Sequence, residues 1–387
     1  MARHCLLRRS QGRIPRDLTG ARPGGTLLCC VAHNQPSIDR SVPVLGQRGG
    51  LVDGSATECS SPAAVPTEQD GHGRAPVTHG HGSAVVGSES ELLGVALPFL
   101  EAGLREGDLV ALTCPPDTVA LLARELGAKA SAVESDPRMS LLGSRAPDAL
   151  AMCGRFLERA TATGSGRLRV VAEVDFGADP ADWREGQRFE SVYNRLLGDA
   201  PVSAVCLYDR RRLPAPVVES AAATHPISVD GSGWQPNPAF QDPGAYVPSL
   251  PLPRETVEAG APLLAVDDAR TLAGLRHQLG AVLDDLVPDR DQQEDLHLAA
   301  SEIAANAFRH GVRPVAARIW GDGDRVVCVI SDRGTSYSDP FSGFLPAHGL
   351  DLSHGGMGLW LARKLWDHVD VLPDPAGLSV RLSTRLR

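Results

Sequence analysis

Aromatic residues are only 4% of the 387 residues, lysine occurs only as Lys129 and Lys364 among 38 basic residues, and apolar runs are short. The longest near-apolar stretch, Leu92 to Leu100, contains Pro98, whereas a helix crossing a bilayer needs about 20 such residues. No membrane segment is expected. Arg3, Arg8, Arg9, Arg13 and Arg16 are not followed by the apolar core of a signal peptide, so secretion is not expected either. Paired C-x-x-C spacing is lacking: Cys5, Cys29, Cys30, Cys59, Cys114, Cys153, Cys206 and Cys328 are scattered over the chain. That excludes a disulfide-stapled scaffold and points to reduced thiols in the cytoplasm. With 47 acidic against 38 basic residues, the net charge of −9 gives no broad positive field to hold nucleic acid. The scarcity of lysine reads as coding bias rather than chemistry.

What is present is globular: 42% hydrophobic and 22% charged residues over a length suited to two or three domains. Residues 1–76 show neither helical nor strand periodicity and are rich in Gly, Pro, Ser, Arg and Gln, which predicts a disordered segment. Nothing later depends on it, so a misassigned start of translation stays open. From about Ser83 the character changes. A helix ending at Gly107, the strand DLVALTC, the helix DTVALLARELGA, the strand LRVVAEVDF, the helix REGQRFESVYNRLLG and the strand VSAVCLYD follow in turn. Such alternation, with strands apolar on both faces, predicts a mostly parallel α/β sheet over residues 77–247. The prolines between Pro243 and Pro253 predict an extended, semi-rigid spacer, with a linker over residues 248–262. A second domain, residues 263–387, opens with the strand-like PLLAV and a helix carrying Leu272, Leu275, Leu279, Leu283 and Leu286.

The sharpest chemical signal is DQQEDLHLAASEIAANAFRHG. Asp291 with Glu294 resembles a capping box and Gly311 is a stop, so one helix is expected over Leu296 to His310. Glu302 and Asn306, four apart, then share a face. A carboxamide oxygen there could serve as a hard ligand for Mg²⁺ and the carboxylate as a base. The same spacing at Glu190 and Asn194 is read as an ordinary helix surface. The second copy has a sequel: a hairpin around Gly321-Asp322-Gly323 ends in Asp332-Arg333-Gly334, and Ser353-His354-Gly355-Gly356-Met357-Gly358 opens into the helix GLWLARKLWDHV. Glycine-rich loops before a helix let backbone N–H groups approach phosphates.

This ordered set, E-x-x-x-N, D-x-G and G-x-G, resembles the Bergerat-type α+β ATP-binding sandwich of gyrase, a heat-shock chaperone, histidine kinases and anti-sigma-factor serine kinases (the GHKL superfamily). SEIAANAFRHG and GMGLWLARKLWD look most like the anti-sigma-factor serine kinases. The resemblance implies ATP and Mg²⁺ as cofactors, Asn306 as the Mg²⁺ ligand, Glu302 as general base, Asp332 reading the adenine amino group, and Gly334, Gly356 and Gly358 shaping the nucleotide loops. Ser336 stands where the family's first box has its second glycine. The first domain, through GLREGDLVALTC, FESVYNRLL, VCLYDRRRLP and ATHP, resembles the MEDS sensory domain, a relative of RecA- and KaiC-like folds. No G-x-x-x-x-G-K-[ST] run occurs. Where such a fold places its phosphate loop the chain reads Val86-Gly87-Ser88-Glu89-Ser90, so this domain is expected to sense or dock rather than hydrolyse ATP.

Taken together, the resemblances imply a cytoplasmic, sensor-regulated anti-sigma factor. It would phosphorylate a serine of an anti-anti-sigma protein and sequester a sigma factor, without binding nucleic acid or membrane. A small-molecule signal at the first domain and a homodimer are left open. A non-catalytic binding switch is the alternative, and a sensor histidine kinase a second. Only 29 residues separate His277 from Asn306, too few for a phosphoacceptor hairpin plus the start of the ATPase fold, so His277 is read as a surface residue. His310 is placed near the nucleotide or at the helix C-terminus. His79, His81, Cys114, Cys206 and His225 match no zinc spacing, and no metal is expected there. Glu173 and Asp175 are read as solvated strand-end carboxylates, and Trp234, Phe240 and Tyr246 as packing residues, with a small-molecule pocket as the minority option.

Overall fold

Strands buried on both faces open the chain from Gly80 onward, and several of its helices start on a side-chain cap; the computed structural model describes residues 80–334, 339–346 and 357–387. The expectations for residues 1–76, His79, Ser336, Ser353, His354, Gly355 and Gly356 lie outside the described residues.

The first layer system runs β1 (His81–Val86), α1 (Glu89–Glu106), β2 (Leu109–Thr113), α2 (Pro116–Leu126), β3 (Val133–Ser135), α3 (Ala146–Ala160), β4 (Leu168–Glu173), α4 (Pro180–Leu197), β5 (Val202–Asp209), α5 (Ala215–Thr224), β6 (Ile227–Asp230) and β7 (Gly233–Pro236). Its seven strands lie in the order β3-β2-β4-β5-β1-β6-β7, parallel except for the antiparallel β6–β7 pair. A mostly parallel sheet is what strands apolar on both faces require, because helices must cover each side. Val171, Val205 and Leu207 join Leu92, Leu100 and Leu122 in one core, while Val170 and Ala204 join Leu150, Phe156 and Phe189 in another. At the start of α1 the Ser88 side chain accepts the Glu91 amide, and Gly107 closes the helix at φ 77°, a left-handed conformation free of Cβ strain for glycine.

Two readings of this region are corrected. Glu190 and Asn194 are not an ordinary helix surface: Glu190 is buried, and the half-buried Asn194 amide bonds the Glu190 and Thr224 carbonyls, because α4 packs on the sheet through this face. Glu173 is likewise buried, 3.1 Å from Arg212 Nη1, and burial pushes its carboxyl up; Asp175 is exposed.

The proline-rich segment is not a free spacer. Asp242 caps α6 (Pro243–Ser249), with Pro243 at the first turn where its missing N–H costs nothing. Tyr246, Val247 and Leu250 are buried, and the Tyr246 hydroxyl donates to Gln187 at 2.8 Å. Trp234 stacks on Phe99.

The second layer system comprises β8 (Leu264–Val266), α7 (Leu272–Leu286), α8 (Arg290–His310), β9 (Ala316–Gly321), β10 (Arg325–Asp332), α9 (Gly358–Leu365), β11 (His368–Asp374) and β12 (Gly377–Arg385). The strands form an antiparallel sheet in the order β11-β12-β10-β9-β8. On one face Leu275, Leu279 and Leu283 of α7, Leu296, Ala300 and Ile303 of α8, and Ala362 of α9 pack on Val326, Cys328 and Ile330 of β10. Helix α8 begins earlier than the expected Leu296, because Asp289 rather than Asp291 caps it, accepting the Gln292 amide at 2.7 Å. Asp289 directly follows Pro288, where the preceding chain is already held out of the helical region.

The opposite face of this sheet carries charge, and the first layer system buries it. Asp370 of β11 accepts from Arg188 at 2.7 Å and Arg184 at 3.2 Å, both on α4, and from Arg381 of β12 at 2.7 Å. Burial alone would raise the Asp370 carboxyl, but Arg188, Arg184 and Arg381 hold it well below the usual carboxylate range. Breaking such a buried pair by deleting one partner costs roughly 3–5 kcal/mol, so the two sheets are locked in register by charge as well as by packing.

Candidate nucleotide-binding site

Ile303, Asn306, Ala307 and His310 recur along α8 at three- and four-residue intervals, so one helix face fronts a cavity of about 340 Å³. Ile330 and Asp332 of β10, Val371 of β11, Leu378 and Val380 of β12, and Leu359 of α9 form the facing wall, with Gly311 and Gly334 at its edge. A mostly apolar slot with one carboxylate suits a heteroaromatic base bearing an amino group.

That carboxylate is fixed by the backbone. Asp332 Oδ1 accepts the Val312 amide at 3.1 Å and the Gly334 amide at 2.6 Å. The glycines make this approach feasible. A Cβ at Gly311 would lie 2.4 Å from Asp332 Cγ, and one at Gly334 would lie 2.7 Å from Asp332 Oδ1. With Oδ1 occupied, Oδ2 is left to accept from a ligand.

Asn306 meets the start of α9, where a Cβ on Gly358 would fall 2.5 Å from Asn306 Nδ2. The Asn306 amide oxygen offers one hard ligand, which suits Mg²⁺, since that ion takes few protein ligands and completes its shell with water and phosphate oxygens. The donor set therefore fits a magnesium nucleotide. Glu302, one turn earlier, is half-buried and lies outside the cavity wall; its Oε1 is 3.2 Å from Arg276 Nη2 on α7. Thus Asn306, Asp332 and Gly334 line one cavity with Gly358 packed at its edge, while Glu302 is turned toward Arg276. Gly356 falls outside the described residues.

Arg276 is the partner of Glu302 that sequence reasoning missed, and no local pattern in LAGLRHQLG marks it. His310 lines the cavity, whereas His277 is exposed on α7, a helix that packs against α8 inside the same sandwich. In the first layer system the Gly87 amide donates to Glu91 Oε2 at 2.8 Å, and Arg210 pairs with Glu91 at 3.4 Å. The Glu91 carboxylate thus occupies the amide and the guanidinium at the turn over residues 86–90.

Comparison with known proteins matches residues 80–226 to the family described as MEDS, the MEthanogen/methylotroph, DcmR Sensory domain. Residues 265–384 match the Histidine kinase-like ATPase domain. The serine-protein kinase RsbW of Bacillus licheniformis is 33% identical over 124 residues, 29% of this chain and 72% of the relative. That of Bacillus velezensis is 31% identical over 127 residues, 30% of this chain and 74% of the relative, and that of Bacillus subtilis is 30% identical over the same shares. Among solved structures, the RsbU and RsbW domains of Rv1364c from Mycobacterium tuberculosis share 22% identity over 32% of each chain at a TM-score of 0.23, too loose a likeness to carry a fold argument. No helix among the described residues is long and apolar enough to cross a membrane. Identity of this level over most of the relatives' length, on the segment that builds the Asn306–Asp332 cavity, decides the family: through its C-terminal region the chain belongs to the RsbW serine-protein kinases, with a MEDS domain ahead of the kinase region.

Proposed function

We propose that the protein is an anti-sigma regulatory factor that transfers the γ-phosphate of ATP to a serine of an anti-anti-sigma protein and sequesters a sigma factor, under control of its MEDS domain. The reading divides the sequence into a sensory unit, residues 77–247, a connector, residues 248–262, and an ATPase unit, residues 263–387. It is carried by the cavity in which a backbone-pinned carboxylate, Asp332, faces apolar walls and shares the lining with the Asn306 amide.

In this reading Asp332 Oδ2 accepts from the adenine amino group, and Asn306 supplies Mg²⁺ with its protein oxygen. Gly334, Gly356 and Gly358 let the backbone close on the nucleotide. Mg²⁺ neutralises charge on the phosphate oxygens. Glu302 takes the proton of the attacking serine as the Oγ–P bond forms and the bond from the γ-phosphorus to the bridging oxygen breaks, with ADP leaving. An affinity pull-down with and without ATP, followed by phosphosite mapping on the captured proteins, tests the whole assignment. ATP-dependent capture with a phosphoserine on the partner supports it; capture without phosphate on any partner favours the binding switch.

Gly358→Ala tests the nucleotide geometry. The added methyl meets the Asn306 amide at 2.5 Å and must displace it, and overpacking of this kind costs typically about 1–3 kcal/mol. ATP affinity should fall by roughly 10-fold, which corresponds to about 1.4 kcal/mol. Unchanged affinity in calorimetry would separate Asn306 from the metal site.

Sensory control has a physical route. Phe344 lies in the stretch between Gly334 and Gly358, yet it is fully buried in the core built by α3 and α4. The Arg363 guanidinium of α9 lies 4.2 Å from the centre of its ring. From α3, Asp148 pairs with Lys364 at 2.7 Å, and at its N-cap Arg145 donates to the Lys364 carbonyl at 2.6 Å. The MEDS domain thus holds both the segment between the nucleotide loops and the end of the helix that follows them. Arg145→Ala should shift the ATP dissociation constant by about 5-fold or more, the lower end of ordinary coupling between sites, although Arg145 touches no nucleotide residue. An unshifted constant would remove this route.

A further inference from the structure

Outside the lining of the nucleotide cavity, four side chains with metal-binding atoms converge inside the first layer system. His81 of β1, Glu190 of α4, Cys206 of β5 and His225 after α5 are all buried, and one donor atom from each lies within 4.8 Å of the other three. The sheet explains the meeting: β1 and β5 are paired in parallel, α5 packs against both, and α4 packs on α5 and shares a core with Ala204 of β5 through Phe189, Val192 and Tyr193. Spacing along the chain could not reveal it, because the four residues come from four elements. Cys114 lies elsewhere, its thiol on the Val171 carbonyl.

The hydrogen bonds around the cluster decide where the protons are. The Asn194 amide nitrogen donates to the Glu190 and Thr224 carbonyls at 3.0 and 2.7 Å, which fixes its oxygen toward His81 Nδ1 at 3.0 Å. His81 Nδ1 must therefore donate. His225 Nδ1 faces the Ala221 carbonyl at 3.0 Å, so it also donates. In neutral imidazoles both Nε2 atoms then carry lone pairs. Those lone pairs point at a carboxylate: His81 Nε2 and His225 Nε2 lie 3.2 and 3.5 Å from Glu190 Oε2. The buried His225 Nε2 has no hydrogen-bond partner. Cys206 Sγ completes the group, 3.3 Å from His81 Nε2 and 3.6 Å from Glu190 Oε2.

Two imidazole lone pairs facing one carboxylate oxygen, with the Cys206 thiol proton the one hydrogen directed into the group, call for a cation. Four donors at about 2.0–2.3 Å from one tetrahedral ion stand about 3.3–3.7 Å from each other. Of the six separations in the group, the four that join His81 or His225 to Glu190 and Cys206 to His81 and Glu190 run from 3.2 to 3.6 Å, and all six lie within 4.8 Å. Outer contacts from each Nδ1 to a carbonyl or amide oxygen are those that orient metal-bound histidines. We propose that His81, Glu190, Cys206 and His225 bind one divalent transition-metal ion, with Zn²⁺ the best fit to a two-nitrogen, one-oxygen, one-thiolate tetrahedron. Binding breaks the Cys206 S–H bond and releases its proton, with no redox change. The assignment stands independently of the kinase reading.

The test uses the full chain, stripped with chelator and titrated with Co²⁺ as a spectroscopic stand-in for Zn²⁺. One equivalent should bind, with the visible bands of tetrahedral Co²⁺ and a thiolate-to-cobalt charge-transfer band, and Zn²⁺ should displace it. Cys206→Ser should abolish the charge-transfer band, whereas Cys114→Ser should keep it. Absence of stoichiometric Co²⁺ binding to the wild-type chain would overturn the proposal and leave a hydrogen-bonded His–Glu–His cluster only, whether or not any variant folds. A band retained in Cys206→Ser would overturn it equally.

Discussion

Asn306→Ala should take Mg²⁺-dependent ATP binding below detection by calorimetry while the chain melts as the wild type does. The side chain is half-buried and occupies the cavity wall rather than the α7–α8 core. Its loss should therefore cost little stability, within about 0.5 kcal/mol as for most substitutions away from a core. Its loss to the nucleotide is large, because among the described residues Asn306 is the amide that faces the Gly358 turn where the phosphates would lie. Mg²⁺ bound through one protein oxygen cannot be replaced by water at that position without losing its anchor to α8. The measurement is ATP affinity with Mg²⁺ and with EDTA. Wild type should lose most of its affinity in EDTA, and the variant should show no difference between the two conditions. Equal Mg²⁺-dependent affinity in variant and wild type would sink the assignment of Asn306.

The site was legible where its chemistry follows local geometry. Asn306 fronts the cavity because one helix carries its face, and Asp332 stands at the end of β10 because an apolar strand runs into it, whereas Glu302, on the same helix, turns to Arg276. Sequence does not say which copy of a local pattern is buried for what purpose. Glu190 and Asn194 have the same spacing as Glu302 and Asn306, yet Glu190 sits against two histidines and a cysteine. Only the pairing of β1 with β5 and the packing of α4 distinguish the two. Arg276 and the Asp370 cluster were illegible for the same reason, since each joins residues from different elements. Parallel α/β order in the first sheet could be read from apolar strands alternating with helices. The helix α6 within a proline-rich stretch could not, because Pro243 stands where a helix tolerates proline and the buried Tyr246 and Val247 supply the docking energy.

Glu302→Gln should leave ATP binding within a few-fold of wild type and cut phosphate transfer to the antagonist serine by at least about 10²-fold, the lower end of what a positioned base contributes. The substitution keeps the size of the side chain and a carbonyl oxygen for Arg276, which now holds Oε1 at 3.2 Å. What it removes is the second carboxylate oxygen, the one left to accept a proton. Glu302 lies one turn before Asn306 on α8, so a serine hydroxyl directed at a phosphate held beside Asn306 approaches that oxygen from the open side of the helix. Sequestration of a sigma factor needs only a complementary surface, and the variant should retain it. The readout is single-turnover transfer from labelled ATP to the protein captured in the ATP-dependent pull-down, beside ATP affinity measured on the same preparation. Equal transfer rates would show that Glu302 is not the base. If the wild type itself transfers phosphate to no captured partner while both forms bind ATP, the protein is a nucleotide-gated binding switch.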